Sequence, residues 1–303
     1  MTSDLKTLAE WGNFFRDLFR ARALRRQWRR RLPLAKRLKW WRRNIDRQAR
    51  EQWPGGYISL EKGGYLYISN KNDVWAYENL VHPRRHEPLI GNCCLPGHVA
   101  IDVGANFGEW AMPMATAVGP KGRVFAFEPV PHLAEGLEKS FRINGLWQAQ
   151  VVKKALCNSN GETKMNYDEG HSGKSSLIGS HDPDNRTRKL TVQTVTLDNF
   201  VDAEGLDRLD FVKIDVEGCE AMVLEGATDT LGRLCPALIL EAGLETPSDR
   251  EKISEILMSA GYDMGGINLE HGILETSWDD YRALSGPFVG ACCNVVFLPP
   301  RRT

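Results

Sequence analysis

Apolar positions change their period along this chain. Trp11, Phe14, Phe15, Leu18 and Phe19 recur at the three-and-four spacing of one helix face. After a break at Pro33 the spacing resumes at Leu34, Leu38, Trp41 and Ile45, so residues 1 to about 50 are expected to be helical. WPGGY at 53–57 ends that arm. Two alternating runs around Gly63 and Gly64, in YISLEKGGYLYIS, have the pattern of a β-hairpin, and residues 71 to 95 read as helical. From Val99 onward, short apolar runs alternate with helical periodicity. Strands are expected at 99–103, 123–128, 150–155, 210–215 and 236–241, with helices near 108–117, 132–144, 218–225 and 249–260.

This alternation implies an α/β fold, a mostly parallel sheet with helices on both faces. Two stretches depart from it. Residues 157–197 are polar and end in KLTVQTVTL, so an inserted hairpin or loop is expected there. ACCNVVFLPP reads as an antiparallel last strand at the sheet's end. The chain thus divides into a helical arm (1–53), a lead-in hairpin with helices (54–98) and an α/β domain (99–303).

Composition adds one fact that the periodicity hides. Of 303 residues, 42% are hydrophobic and 26% charged, ordinary for a globular chain, and the formal net charge is zero. Yet residues 1–50 hold 16 Lys/Arg against four acids, while the remainder holds 23 against 35. A basic arm is joined to an acidic body. With Trp28, Trp40 and Trp41 interleaved among the arginines, the arm suits an anionic membrane surface. RNA phosphates are the second reading, and packing on the body the third.

Seven cysteines, an odd number with no CxxC spacing, argue against a disulfide framework and a zinc site. His82 and His86 have helical spacing, but Pro83 lies between them and no third ligand is evident, so no metal site is assigned. No apolar run approaches the ~20 residues of a membrane span, and the N-terminus lacks a signal-peptide core. The expected location is cytoplasmic, peripheral on the inner face of the membrane.

The chemistry begins at VAIDVGANFGEW, 99–110, where a strand breaks into a glycine turn beside an acid. Ligands of such sheets bind at the carboxyl ends of the strands, where strand order switches. A dinucleotide fingerprint starting at Gly104 would need glycine at Asn106 and Glu109, and an acid at a helix start disfavours phosphate. S-adenosylmethionine fits better. Asp102 can accept from its ammonium, backbone N–H groups of the turn can receive its carboxylate, and Glu128, 24 residues after Gly104, can accept from both ribose hydroxyls.

In DFVKIDVEGCE, Phe211, Lys213 and Asp215 share one strand face, and Glu217 extends the series if the chain stays extended. A charged pair at a buried strand's end is costly unless it serves structure or function. If a hydroxyl is the acceptor of the cofactor's methyl group, the enzyme must align it and remove its proton. Asp215 is the first candidate for that base, Lys213 would fix its charge and rotamer, and Glu217, Glu241 and His171 are reserves. A divalent metal such as Mg²⁺ on Asp215 and Glu217 could instead acidify the acceptor hydroxyl. The loop DEGHSGKSSLIGS, 168–180, is read as a lid or a plain surface loop; as a lid it would present His171, Ser175 and Ser176 to the acceptor, beside Glu241.

VAIDVGANFGEWA, VFAFEPVP, TVTLDNFV, DFVKIDVEGCE and NVVFLP together resemble the FkbM family of S-adenosylmethionine-dependent methyltransferases, over roughly residues 85–298. The resemblance implies a Rossmann-like methyltransferase fold, with Asp102, Gly104, Asn106, Gly108 and Glu128 at the cofactor. It also implies O-methylation, often of sugars or secondary-metabolite hydroxyls, which makes the expected partner a small-molecule or glycan acceptor. Substrate choice and oligomeric state are not carried by it. Nucleic-acid amino methyltransferases resemble one another in an Asn/Asp-Pro-Pro-aromatic motif where this chain has DVEG, which disfavours base amino groups and leaves RNA ribose open. A nucleotide-linked oxidoreductase and a non-catalytic membrane- or RNA-binding protein are the remaining rivals.

Overall fold

The glycine-centred pattern at 57–69 forms the expected hairpin: β1 (Gly56–Ser59) and β2 (Tyr65–Ile68) pair antiparallel. The computed structural model of the chain describes residues 56–59, 64–69, 73, 75–76, 87–177, 187–269, 272–283, 285, 288 and 293–300. The basic arm, His82 and His86 lie outside the described residues. Of the helical reading at 71–95, the described part is helical at 75–76 and in α1 (Glu87–Cys93).

From there strands and helices alternate as β3 (Val99–Val103), α2 (Ala111–Val118), β4 (Arg123–Phe127), α3 (Pro131–Ile143) and β5 (Ala149–Val152). Next come β6 (Ala155–Leu156), β7 (Gly161–Asp168) and β8 (Thr187–Val195), followed by α4 (Leu197–Ala203), β9 (Phe211–Ile214), α5 (Glu220–Glu225), α6 (Thr228–Leu234) and β10 (Ala237–Ala242). The remainder is α7 (Pro247–Ser259), β11 (Asp263–Leu269), β12 (Gly272–Leu274), α8 (Trp278–Ala283) and β13 (Cys293–Leu298).

Among the described residues, eight strands build the main sheet in the order β12-β11-β13-β10-β9-β3-β4-β5, and the run from β10 to β5 is parallel throughout. Strand order reverses between β3 and β9, because the chain first lays β4 and β5 on one side of β3 and later β9 and β10 on the other. That switch places the carboxyl ends of β3, β4, β9 and β10 around one crevice.

Side-chain alternation fills both faces. Ile101, Val103, Val212, Ile214, Leu238 and Leu240 enter one core cluster, while Ala100, Val124, Ala126, Phe211 and Ile239 enter the other. The β1–β2 hairpin docks on α3, where Tyr67 N–H donates to Ser140 Oγ and Tyr65 N–H to Asn144 Oδ1, both at 2.8 Å.

Three expectations change. The run 150–155 is two strands in different sheets, because the Lys154 amide turns back onto the Val152 carbonyl at 2.8 Å. The insertion is more than a loop: β7 and β8 form a long hairpin, and β6 joins β8 to complete a three-stranded sheet. The antiparallel strand β13 is not at the sheet's end; it lies between β10 and β11, with β12 and β5 at the edges.

Candidate active site

The turn after β3 needs glycine for a packing reason. Gly104 has φ +81°, and a Cβ there would collide with the carbonyl oxygen of Asp215, so β3 and β9 could not end side by side. Gly108, at φ +102°, sits under α3, where a Cβ would come within 2.6 Å of Leu137 Cδ1. It therefore serves helix packing and does not line the cavity.

Four amides of this turn, those of Gly104, Ala105, Asn106 and Gly108, are already committed and are not the ones that would meet a cofactor carboxylate. Gly104 N–H and Ala105 N–H both donate to the Phe127 carbonyl, at 3.1 and 2.9 Å, and Gly108 N–H donates to the Ala105 carbonyl. They lash the turn to the end of β4. Gly104 and Ala105 still line the cavity, together with Asp102, Asn106 and Glu128.

Asp102 is 1% exposed, and its Oδ2 has no hydrogen-bond partner among the described residues. Burial pushes its carboxyl up to about 7 against the pull of Lys213 and the Ala111 N–H. Glu128 is also buried. It accepts the Val130 and Asn106 N–H groups, both at 2.8 Å, yet desolvation outweighs them and lifts it to about 7. Each of its oxygens holds one backbone donor and keeps a second lone pair for a ligand hydroxyl.

At the end of β9, Lys213 is fully enclosed, with Nζ 2.8 Å from Asp215 Oδ2 and 5.4 Å from the Trp110 ring centre. Burial alone would lower its ammonium pKa; Asp215, Asp102 and Glu241 reverse that and raise it. Glu241, from the end of β10, is hydrogen-bonded to Asp215. Burial first, and the neighbouring Asp215 second, push it up to about 9. Glu217 follows in a left-handed conformation, φ +54°, so the chain does not stay extended and Glu217 reaches the cluster through a turn, not along the strand face. Carboxylate oxygens of Asp215, Glu217 and Glu241 lie within 4.8 Å of one another. The period-of-two reading of Lys213 and Asp215 therefore found a real cluster, and Glu241 belongs to it.

The insertion closes the crevice. Ser172, Ser175 and Ser176 line the cavity, but His171 does not; its ring stacks on Trp75 at 5.4 Å. The Ser176 hydroxyl donates to the Glu217 carbonyl at 2.7 Å, so it braces the acidic turn and is not turned to an acceptor. Ser175 keeps its hydroxyl without a partner among the described residues.

Several contributors were not read from the sequence. Ser172 Oγ donates to Asn106 Oδ1 at 3.0 Å, while its amide donates to the buried Asp73, which also receives the Trp75 and Ala76 amides. Glu220, at the start of α5, accepts the Val216 and Gly218 amides and so shapes the turn that carries Glu217. Only Glu220 had a local signal: an acid in a first helical turn after glycine. Val130, Leu133, Leu156, Met165 and Leu177 give the cavity an apolar lining. The site can thus hold a ligand with one flat apolar part, a diol and a cationic end, and can take a proton from a second molecule.

A family model described as the methyltransferase FkbM domain matches residues 102–264. The chain is 26% identical over 235 residues to methyltransferase sdnD of Sordaria araneosa, covering 68% of this chain and 88% of that protein. It is 29% identical over 204 residues to hexuronic acid methyltransferase AglP of Haloferax volcanii, covering 66% and 80%. It is 26% identical over 158 residues to 2-O-methyltransferase NoeI of Sinorhizobium fredii, covering 48% and 64%. Among solved structures, methyltransferase FkbM from Methylobacillus flagellatus aligns at 15% identity with a TM-score of 0.43, covering 84% of this chain and 59% of that one.

Proposed function

Because the chain belongs to the FkbM methyltransferase family, we propose that it is an S-adenosylmethionine-dependent O-methyltransferase acting on a hydroxyl of a carbohydrate, glycolipid or related metabolite. The observation that carries this reading is the pairing of Asp102 and Glu128 on one cavity, one at the end of β3 and the other just past β4, both desolvated and both with accepting capacity left. Asp102 would hold the cofactor's ammonium, Glu128 its ribose hydroxyls, and the apolar wall of Val130, Leu133, Leu156, Met165 and Leu177 its adenine. When bound, the cofactor supplies a methyl group already activated by the sulfonium charge.

The chain's own residues then have two tasks, to hold the acceptor in line and to take its proton. In this reading Asp215, Glu217 and Glu241 face the acceptor. Asp215 is the proposed base, and Lys213 holds it in one rotamer. Two relatives point to oxygen and to sugars as acceptors: one is named a 2-O-methyltransferase, the other a hexuronic acid methyltransferase. The basic arm is read as an attachment to anionic membrane, which would bring the body to glycolipid.

The test is transfer of labelled methyl to purified glycans, lipids and RNA of the host. Incorporation into glycan or glycolipid, lost in Asp215→Asn, supports the proposal; incorporation into RNA ribose alone overturns it.

A further inference from the structure

We infer that the acidic end of the cavity is also a binding site for one hard divalent cation of the Mg²⁺ or Ca²⁺ class, held by Asp215, Glu217 and Glu241. The inference rests on the proposed function only for its purpose, the anchoring and acidification of an acceptor hydroxyl, and not for its existence; with the ion bound, Asp215 serves as its ligand in place of the base.

The donor set is the first ground. The three side chains come from two strand ends, and their carboxylate oxygens lie within 4.8 Å of one another. Ca²⁺, about 2.3–2.6 Å from each ligand, can bridge oxygens roughly 5 Å apart, whereas Mg²⁺, at about 2.0–2.1 Å, needs them drawn in to about 4.2 Å. Asp215 and Glu241 relieve their repulsion by sharing a proton in a hydrogen bond; a cation that displaces this proton would pair with all three carboxylates. Lys213 cannot do this for all three, because its Nζ is fixed on Asp215 Oδ2 from inside the sheet, 2.8 Å away.

The second ground is independent of the acids. Ser175 is 9% exposed and lines the same cavity, and its hydroxyl has no hydrogen-bond partner among the described residues. Asn294 is the register partner of Glu241 in the antiparallel β10–β13 pair, so it shares that face of the sheet. Its Oδ1 is buried and meets no donor among the described residues. Buried oxygens without a donor are costly, and a hard cation or its bound water satisfies them. Carboxylate, hydroxyl and amide oxygens with no nitrogen or sulfur ligand select Mg²⁺ or Ca²⁺ over zinc or copper.

The experiment uses the full chain, stripped with chelator, and Mn²⁺ as the probe, followed by loss of its free paramagnetic signal. One Mn²⁺ per chain is expected, displaced by Mg²⁺ or Ca²⁺ and weakened at least tenfold in Glu217→Gln and in Glu241→Gln. S-adenosylhomocysteine binding, measured on the same samples, shows whether each variant is folded. If Glu241→Gln loses it, the partly buried Glu217 decides. Absence of stoichiometric Mn²⁺ on the native chain overturns the inference, as does undiminished binding in the folded variants. Failure of the methyl-transfer reading would show separately, as Mn²⁺ bound without any affinity for S-adenosylhomocysteine.

Discussion

Lys213 Nζ and Asp215 Oδ2 are 2.8 Å apart, and the pair is lopsided: the lysine side chain is 1% exposed and the aspartate 26%. A buried cation is thus committed to a carboxylate that still reaches the cavity. Asp215→Asn keeps the shape and removes the charge. Turnover on an identified acceptor should fall about 10²-fold or more, while affinity for S-adenosylhomocysteine changes little. Full activity in this variant would make Asp215 structural.

Glu128 is expected to hold the ribose. Glu128→Ala should weaken S-adenosylhomocysteine binding by about 1.5–3 kcal/mol, the cost of lost charge-assisted hydrogen bonds. Calorimetry checks this, and unchanged affinity would remove Glu128 from the cofactor site.

The same residue predicts a pH dependence. Its carboxyl sits at about 7 in the folded chain, above the ordinary value of 4.5. Between those values the folded state holds a proton that the unfolded state has lost, so this contribution to stability falls as pH rises through about 7 and is flat above. The upper bound is ~3 kcal/mol. Glu128→Gln should flatten that part of the profile of Tm against pH. Because ribose hydroxyls donate to the ionised form, affinity for S-adenosylhomocysteine should rise with pH and level off above about 7.

Gly104 tests the packing of the turn. Gly104→Ala places a methyl group on the Asp215 carbonyl at positive φ, and should cost several kcal/mol, seen as a large fall in Tm or as insoluble protein. Gly91→Ala in α1 meets nothing within 4 Å and serves as the control, with an expected gain of ~0.5–1 kcal/mol.

The arm is tested by truncation. Full-length protein should pellet with anionic liposomes and far less with neutral ones, and removal of residues 1–50 should abolish this without touching cofactor binding. Salt should weaken the attachment only in part, since aromatic insertion survives screening. Equal pelleting of both forms would refute membrane attachment, and preferential retention by RNA would favour the rival.

What was legible follows from the reach of each signal. Four of the five parallel strands were readable near their bounds, because residues such as Ile101, Phe125, Val212 and Leu240 lie in short apolar runs between helical patterns; β5 was read as one run with β6. Lys213 and Asp215 stood out because charges are rare in such runs. The helices α4 and α6 were missed because seven residues are too few to show a helical period. β11 was missed because Gly265 and Gly266 break its pattern at a bulge between Met264 and Gly266. The link from Ser172 to Asp73 spans 99 positions and exists only after the insertion folds over the sheet. Sequence spacing found the acids; only tertiary structure shows that Ser176 is spent on Glu217 and that His171 belongs to Trp75.

The place of β13 between β10 and β11 has a kinetic consequence. Both neighbours precede it in the chain, so the slot between them stays open until residues 293–298 arrive from further along. Until then β10 offers an unpaired edge beside the acidic end of the cavity, and that edge can be occupied by a strand from another molecule. Closing such a long-range gap is the kind of step that slows folding. Refolding yield should therefore fall steeply with protein concentration, and a peptide of residues 291–300 added during refolding should compete for the slot.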